Sequence, residues 1–263
     1  MEMSQLKLSL SNGIFRNCTL EENVSMVKQL GFENLEFNMK SVETEADTSI
    51  HEAERLIKAS GLKCLTLHVG ALHVKDPVEV HRAVYYGKIS LDFAKKLQAP
   101  VMVVHSNIAR QLPEPQRRGV LELVFGELTS YAKKLNVKLA LENLSYASSG
   151  YGKNVGELEE ILGIIDKDVV MGFTLDFCHA EATGQTQALL EKYHGRLCNV
   201  HLSNRAHKPF DTPTDRLLFL VQKLEDYGYQ GPLTLELSRK CTNDQILSTK
   251  RVVEEILQRH TKK

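Results

Sequence analysis

The feature that most constrains the fold of this chain is a repeated alternation between short apolar runs and longer amphipathic runs. Each apolar run is rich in leucine or branched residues and is nearly continuous rather than alternating with polar residues. Such runs are typical of parallel strands that are covered on both faces. We predict eight strands, over residues 6–10, 35–37, 64–69, 101–104, 137–141, 169–175, 198–202 and 232–237.

The amphipathic runs between these strands carry recognisable helix ends. Thr19 and Glu22 have the spacing of a capping box, which predicts a helix that begins there and ends near Gly31. Asp76 followed by Pro77 predicts a second helix start. Beyond the first helix, we predict helices over residues 78–97, 114–135, 156–165, 185–193, 214–227 and 244–260.

The strand and helix segments alternate through the whole chain without a linker or a shift in composition. The 263 residues divide over eight units into repeats of about 33 residues. We therefore expect one α/β domain, a (β/α)8 TIM barrel that spans residues 1–263. The alternative is an open doubly wound sheet, which would be expected to carry a glycine-rich phosphate loop after its first strand. Ser11-Asn12-Gly13 follows that strand instead, and Gly150-Tyr151-Gly152 after the fifth strand predicts a flexible loop.

The composition excludes several classes of protein. Lys+Arg and Asp+Glu each number 33, and this zero net charge disfavours a nucleic-acid-binding protein with a basic face. Hydrophobic residues make up 42% of the chain, which is enough for a large core and excludes global disorder. No apolar run reaches the roughly 18 residues of a membrane helix, and the first residues lack the pattern of a signal peptide.

The cysteines indicate a reducing compartment. Five of them are widely spaced, and no Cys-x-x-Cys pair occurs. We therefore predict free buried thiols rather than a zinc ribbon or a redox site, in a cytoplasmic protein.

Ionisable side chains mark the ends of six successive predicted strands. Strand carboxyl ends of a barrel converge on one face, where barrel enzymes carry their catalytic groups. Each residue alone could be a core histidine or a helix N-cap. However, histidine and acidic residues are only 10 and 33 of 263 and are rarer still in apolar runs. Six in register therefore predict a site, formed by His68, His105, Glu142, Asp176, His201 and Glu236.

This set of side chains is suited to a metal. Carboxylates behind apolar runs are costly to ionise unless a cation or another partner faces them. An oxygen-rich set favours Mn²⁺, Mg²⁺ or Co²⁺, with Zn²⁺ as an alternative. His68 and His105 either hold a second ion, bridged by Glu142, or bind substrate hydroxyls. The predicted ligands of the first ion are Glu142, Asp176, His201 and Glu236.

Other residues near the strand ends have two readings each. His179, three residues after Asp176, contacts substrate or a further metal, or is an ordinary loop residue. Arg205, Arg239 and Lys240 pair with an anionic group such as a phosphate, or are ordinary solvated charges. Glu36, near the end of the second strand, is an additional candidate for the rim of the site. The remaining histidines, His207 among them, are predicted to lie at the surface.

The residues around the strand ends resemble those of the xylose isomerase-like barrel superfamily. This superfamily contains sugar and sugar-phosphate isomerases and epimerases, and the endonuclease IV type of AP endonuclease. The resemblance covers nearly the whole chain in order. Its most specific parts are Leu141-Glu142-Asn143, Leu175-Asp176-Phe177-Cys178-His179, Val200-His201-Leu202-Ser203 and Leu235-Glu236-Leu237.

The isomerase and epimerase branch implies a role for each of these residues. The four predicted ligands would hold one divalent metal. Glu142 and Glu236 would also exchange a proton with the carbon next to the substrate carbonyl, through an enediolate that the metal stabilises. His179 would contact a substrate hydroxyl, and Arg205, although closer to His201 than the pattern expects, would contact the substrate. The implied protein acts on a small-molecule sugar, and a homo-oligomer is compatible because dimers are common among barrels.

Two other functions remain open from the sequence. The endonuclease branch has counterparts for His68, His105 and His179 in a site with three zinc ions. Its third zinc needs an Asp-x-His pair after the seventh strand, and Asp215-Arg216-Leu217 lacks the histidine. A non-catalytic barrel that binds a sugar or a partner is the second alternative. The matched pair of glutamates disfavours it, because binding alone needs no acid and base.

Overall fold

A closed barrel of eight parallel strands forms the centre of the molecule, whose computed structural model describes residues 6–41, 47–69, 72–165 and 171–260. The strands pair in sequence order, and the last one closes onto the first, where Leu10 pairs with Leu235. The predicted (β/α)8 TIM barrel is therefore confirmed. The strands are β1 (Lys7–Ser11), β2 (Asn34–Asn38), β3 (Lys63–His68), β4 (Val101–His105), β5 (Lys138–Glu142), β6 (Gly172–Asp176), β7 (Leu197–Leu202) and β8 (Pro232–Leu235).

Helices surround the barrel, and most of them begin and end within two residues of the predicted limits. Thr19 accepts the backbone N–H of Glu22, and Glu22 accepts the backbone N–H of Thr19, which confirms the capping box. The helices in the described residues are α1 (Leu20–Gln29), α2 (Asp47–Ser60), α3 (Val80–Lys96), α4 (Glu114–Leu135), α5 (Val155–Ile165), α6 (Phe177–Ala182), α7 (Thr186–Tyr193), α8 (Asp215–Asp226) and α9 (Asn243–His260).

Two of these helices were absent from the sequence prediction. In α2, Ile50, Ala53 and Ile57 are buried at helical spacing, so the sequence does carry a periodic signal for this helix. The other, α6, has six residues and starts directly at the end of β6, with Asp176 as its N-cap. Six residues are too few to show a helical period in the sequence.

The main apolar core lies between the strands and the surrounding helices. Leu121 and Leu128 of α4 and Leu220 of α8 are fully buried there, against strand residues such as Leu141 and Leu175. Burial of each leucine side chain contributes roughly 1.5–3 kcal/mol. A separate, smaller apolar cluster contains Val101 and Val103, at alternate positions of β4, and Ala140 of β5, with Cys198 packed against it. Because side chains alternate across a strand, this second cluster faces the inside of the barrel.

Polar side chains share the barrel interior with this small cluster. The Thr66 hydroxyl of β3 donates to Glu36 of β2 at 2.8 Å, and Thr234 of β8 donates to Asn199 of β7 at 2.9 Å. Asn199 in turn lies 3.4 Å from the Glu36 carboxylate, which joins β7 to β2 across the interior. Hydrogen bonds between polar side chains therefore link β2, β3, β7 and β8 across the interior below the strand ends.

The five cysteines are unpaired, as predicted, but only Cys64 and Cys178 are buried. Cys198 and Cys241 are partly buried, and Cys18 is exposed. Among the described residues, no helix is both long enough and apolar enough to cross a membrane.

The loop after β5 is packed rather than flexible, which corrects the expectation for Gly150-Tyr151-Gly152. A methyl group on Gly150 would lie 2.6 Å from the Ser106 carbonyl oxygen and 2.7 Å from Leu144 Cδ1. The Tyr151 N–H also donates to that carbonyl at 3.1 Å. The backbone after β5 therefore runs too close to the backbone after β4 to admit a side chain.

We expect Gly150→Ala to lower the free energy of unfolding by about 1–3 kcal/mol, because the clashing atom belongs to the backbone and cannot rotate away. Urea denaturation followed by circular dichroism measures the effect. Gly163→Ala in α5 is the matched control, since nothing lies within 4 Å of a Cβ at that position. There the better helix propensity of alanine stabilises by up to about 1 kcal/mol. Equal effects of the two substitutions would contradict the packing argument.

Candidate metal centre

The strand register points the ionisable side chains into the mouth of the barrel. Residues two apart on a strand face the same side, so each strand-end residue follows an interior residue. Glu142 follows Ala140 of the interior cluster, and His201 follows Asn199 of the interior hydrogen-bond chain. The same step places His68 above Thr66, and Glu236 above Thr234. The structure thus brings together the six predicted residues His68, His105, Glu142, Asp176, His201 and Glu236.

Glu142 lies at the centre of the group and is buried. Its Oε2 accepts a hydrogen bond from His105 Nε2 at 2.9 Å and lies 3.5 Å from His68 Nε2. Its Oε1 lies 3.2 Å from His201 Nδ1. Burial acts to raise the pKa of Glu142, but the imidazoles of His105 and His201 outweigh it and hold that pKa well below its usual value. Glu142 is therefore a carboxylate shared by three histidines.

Glu236, like Glu142, faces the His201 imidazole, and it is the most exposed carboxylate of the group. Its Oε2 lies 3.4 Å from His201 Nδ1, and its Oε1 lies 3.6 Å from His68 Nδ1. The side chain is 21% exposed, whereas that of Glu142 is fully covered. Burial favours a raised pKa for Glu236, but the pKa is lowered because the His201 imidazole stabilises the charged form. Glu236 can therefore meet a molecule that enters the mouth.

Asp176 caps helix α6 with one carboxylate oxygen and leaves the other oxygen without a hydrogen bond. Its Oδ1 accepts the backbone N–H of His179 at 2.7 Å and caps α6. Its Oδ2 has no hydrogen-bond partner and is buried. Burial, together with the charges of Glu236 and Glu142, raises the pKa of Asp176 well above its usual value. This carboxyl group therefore lies where negative charge is in excess.

Glu36 belongs to the centre of the group rather than to its rim, which corrects the sequence expectation. It is fully buried, and its Oε2 accepts from His201 Nε2 at 2.8 Å and from the Thr66 hydroxyl at 2.8 Å. Burial opposes the charged form of His201, but the carboxylates of Glu36, Glu142 and Glu236 raise the pKa of His201 well above its usual value. Because Glu36 occupies Nε2, His201 presents Nδ1 to Glu142 and Glu236.

These side chains fit a divalent cation. One ligand atom from each of the four predicted ligands lies within 4.8 Å of the others. Buried polar atoms without partners carry a large desolvation cost, which a cation between them would offset. Atoms of this kind in the group, buried and without a hydrogen-bond partner, are Glu36 Oε1, His68 Nδ1, Glu142 Oε1, Asp176 Oδ2 and His201 Nδ1.

Three further groups of side chains could also hold an ion. One contains His68, His105 and Glu142, as the sequence suggested, and a second contains Glu36, His68 and His201. The third contains Asp176, His179 and His207. His207 is thus not the isolated surface residue that we expected. Two imidazole nitrogens on one tetrahedral zinc lie about 3.3 Å apart, because each Zn–N bond is about 2.0–2.1 Å. His179 Nε2 and His207 Nε2 are 3.2 Å apart.

The hydrogen bonds of the His179 and His207 imidazoles are compatible with an ion between their Nε2 atoms. His179 Nδ1 lies 3.1 Å from the Asn143 carbonyl oxygen, and His207 Nδ1 lies 3.1 Å from the Glu236 carbonyl oxygen. A carbonyl oxygen can only accept, so His179 Nδ1 donates to it, whereas His207 Nδ1 also lies 3.2 Å from the Ser203 hydroxyl, which can donate to that nitrogen. In the arrangement in which both Nδ1 atoms donate, the two Nε2 atoms direct lone pairs at each other, and a cation between them removes that repulsion.

His207 is placed at the mouth by a turn that could not be predicted from the sequence. Ala206 and His207 both adopt positive φ angles, of 59° and 53°. Residues other than glycine rarely adopt this conformation, and such outliers cluster at functional sites. A glycine would have marked the turn in the sequence, but none is present.

A cavity of about 280 Å³ opens beside the group, with Glu236 and His207 in its lining. Most of its other lining residues follow β1, β2 and β8. Arg205, the predicted substrate ligand, is exposed and is not among the described lining residues. Its suggested contact with substrate stays a prediction.

Comparisons with known proteins relate the barrel to a known family. A family model described as xylose isomerase-like TIM barrel matches residues 24–259. No curated protein sequence matches the chain.

Solved structures share the fold at low sequence identity. A D-tagatose 3-epimerase-like protein is 19% identical with a TM-score of 0.79, over 96% of this chain and 97% of that one. An L-ribulose 3-epimerase is 15% identical with a TM-score of 0.82, over 97% and 95%. A 3-keto-D-glucoside 4-epimerase from E. coli is 17% identical with a TM-score of 0.77, over 97% and 100%.

Proposed function

The chain belongs to the xylose isomerase-like TIM barrel family, and from this membership and the site geometry we propose that it is a metal-dependent isomerase or epimerase of a sugar or sugar derivative. The observation that carries the proposal is the pair of glutamates that face one imidazole nitrogen. Glu142 and Glu236 lie 3.2 and 3.4 Å from His201 Nδ1, one fully covered and the other open to the cavity. The similar folds of a D-tagatose 3-epimerase-like protein and an L-ribulose 3-epimerase support sugar chemistry.

The proposed metal ligands are Glu142, Asp176, His201 and Glu236. Their three carboxylates and one imidazole favour Mn²⁺, Co²⁺ or Mg²⁺, and also admit Zn²⁺. The cation, when bound, would polarise the substrate carbonyl and lower the free energy of an enediolate next to it.

The protein's own groups would move the proton. Glu236, which opens to the cavity, and Glu142 form the acid and base pair, so that one removes the proton from the carbon next to the carbonyl and the other returns it. His105 donates to Glu142 Oε2 at 2.9 Å and so orients that carboxylate. His68 lies between the two glutamates, 3.5 Å from Glu142 Oε2 and 3.6 Å from Glu236 Oε1. His179 contacts a substrate hydroxyl in this proposal.

A deuterium-exchange panel tests the proposal directly. The metal-loaded protein is incubated in heavy water with neutral, phosphorylated and acidic sugars, and proton NMR follows each carbon-bound hydrogen. We expect loss of the signal at one carbon next to a carbonyl group, together with the appearance of an epimer or an isomer. A panel without exchange, on protein shown to contain metal, would contradict the proposal.

Zinc-dependent cleavage of abasic DNA is the second candidate function. One observation favours it: His207, which follows β7, lies with Asp176 and His179 in a group that could hold a metal ion. His207 could therefore replace the zinc-binding histidine that the Asp215-Arg216-Leu217 segment lacks. Nicking of a duplex with an abasic site, lost on chelation and restored by zinc, would support it. The zero net charge of the chain is the reason that it ranks second.

Glu36 is a positioning residue in this proposal, because it accepts from the far nitrogen of a metal ligand. We expect Glu36→Gln to weaken metal affinity by about 10–100-fold, the range for a partner that orients a metal-binding histidine. Competition with a coloured chelator measures the affinity, and circular dichroism verifies the fold. Glu33→Gln is the matched control, since Glu33 is an exposed glutamate just before β2. Unchanged affinity in Glu36→Gln would show that the bond does not orient His201 toward a metal.

A further inference from the structure

We propose that the cavity beside the metal centre is an anion-binding subsite and that the substrate carries a phosphate group. The identity of the ligand as a substrate rests on the proposed function. The subsite itself rests on the side chains that line the cavity.

Three cationic side chains line this cavity from three adjacent strands. Arg16 follows β1, Lys40 follows β2 and Arg239 follows β8. These strands are neighbours in the barrel, in the order β8, β1, β2. The three loops therefore meet on one side of the mouth, and each contributes one positive charge to the same cavity.

These charges are not neutralised by the protein. Within residues 6–41, 47–69, 72–165 and 171–260, no carboxylate forms an ion pair with Arg16, Lys40 or Arg239. Glu236 is the single carboxylate among the described lining residues, and it already faces His201 and His68 at 3.4 and 3.6 Å. The outer part of the cavity is therefore positive, and a concave surface concentrates such a field.

A buried hydroxyl in the same lining also lacks a partner. Ser11 is 2% exposed, and its Oγ makes no hydrogen bond. A buried polar group without a partner is destabilising by about 1–3 kcal/mol, so such groups are rare unless a ligand or water satisfies them. Ser11 thus offers an independent donor to the ligand that the three cations attract.

A phosphate monoester matches this set of groups. It carries a charge of about −1.5 to −2 near neutral pH and presents three acceptor oxygens, and guanidinium groups bind such oxygens in pairs. A cavity of about 280 Å³ holds a small molecule rather than a polymer. Because Glu236 belongs both to the metal group and to the cavity lining, one sugar phosphate can reach both.

The first test uses inorganic phosphate as the probe, titrated calorimetrically into metal-loaded protein at constant ionic strength. We expect Arg16→Gln, Lys40→Gln and Arg239→Gln each to weaken binding by roughly tenfold or more, as for loss of a charge-assisted hydrogen bond. Ser11→Ala is expected to weaken it less. The controls, Arg118→Gln and Lys134→Gln, remove exposed charges of α4 that are outside the described lining and should bind phosphate as the unmodified protein does.

Two results would overturn the subsite. Phosphate binding that none of the cavity substitutions alters would place the phosphate on the metal instead. An equal loss in the controls would show a general effect of net charge.

The second test compares deuterium exchange in a neutral sugar, its phosphate ester and the corresponding sugar acid. We expect the phosphate ester to have the lowest KM, and Arg239→Gln to raise that KM about tenfold or more, whereas the control Arg118→Gln leaves it unchanged. Equal KM values for the ester and the neutral sugar, or a lower one for the acid, would overturn the assignment to phosphate. Phosphate binding that depends on Arg16 and Arg239, without exchange in any sugar, would support the subsite and contradict the proposed function.

Discussion

Glu142→Gln and Glu236→Gln are each expected to abolish exchange of the substrate's carbon-bound proton with solvent. An amide keeps the size of the side chain but cannot accept a proton from carbon at neutral pH. General acid or base groups contribute about 10²–10⁴-fold to a rate, so each variant should lose at least that factor. Proton NMR in heavy water, with the best substrate of the sugar panel, measures the loss.

Metal content must be measured on the same samples, because both glutamates are also proposed ligands. Glu236→Gln is the more informative variant: its side chain is 21% exposed, and three other ligands remain. Protein that keeps its metal but does not exchange protons would separate proton transfer from metal binding. Glu33→Gln serves as the control and should exchange at the unmodified rate. Exchange that survives in both variants would contradict the mechanism with two glutamates.

The second large effect is the loss of bound metal in Glu142→Ala. Elemental analysis of protein purified without chelator measures the metal content per chain. We expect at least one divalent ion in the unmodified protein and none in Glu142→Ala. Loss of this central carboxylate removes the oxygen atom that accepts from His105 Nε2 and the one that lies 3.2 Å from His201 Nδ1. The affinity should fall by more than the roughly 100-fold that loss of an orienting partner produces. Protein without metal, even after incubation with each cation, would contradict the metal proposal.

His179→Ala distinguishes the two candidate functions in the same experiment. His179 contacts Asp176 and His207 but is not one of the four proposed ligands. Retention of one Mn, Co or Mg ion in this variant would support the isomerase or epimerase proposal. Two or three zinc ions in the unmodified protein, and one ion fewer in either His179→Ala or His207→Ala, would favour cleavage of a phosphodiester instead.

The spacing of apolar residues in the sequence predicted most of the fold and the group of ionisable residues at the strand ends. Continuous apolar runs separated by capped amphipathic segments predicted every strand to within a few residues, and six strand ends placed their ionisable residues in one mouth. The helix α2 could have been predicted as well, since Ile50, Ala53 and Ile57 follow a helical period.

Two residues of the site could not be placed from the sequence, for different physical reasons. Glu36 interacts with His201 across the barrel, 165 positions away in the chain, and no local pattern encodes a contact of that kind. His207 depends on a turn in which Ala206 and His207 adopt positive φ angles without the glycine that usually marks them.

The separation of the interior cluster from the main core has an evolutionary consequence. The large layer between strands and helices supplies most of the apolar burial, whereas Val101, Val103 and Ala140 form a small cluster of their own below the mouth. Substitutions among the side chains of the mouth, apart from Asp176, which caps α6, therefore leave the apolar contacts between helices and strands intact. One scaffold can in this way carry different strand-end side chains, and so different chemistry, with little change to its main core.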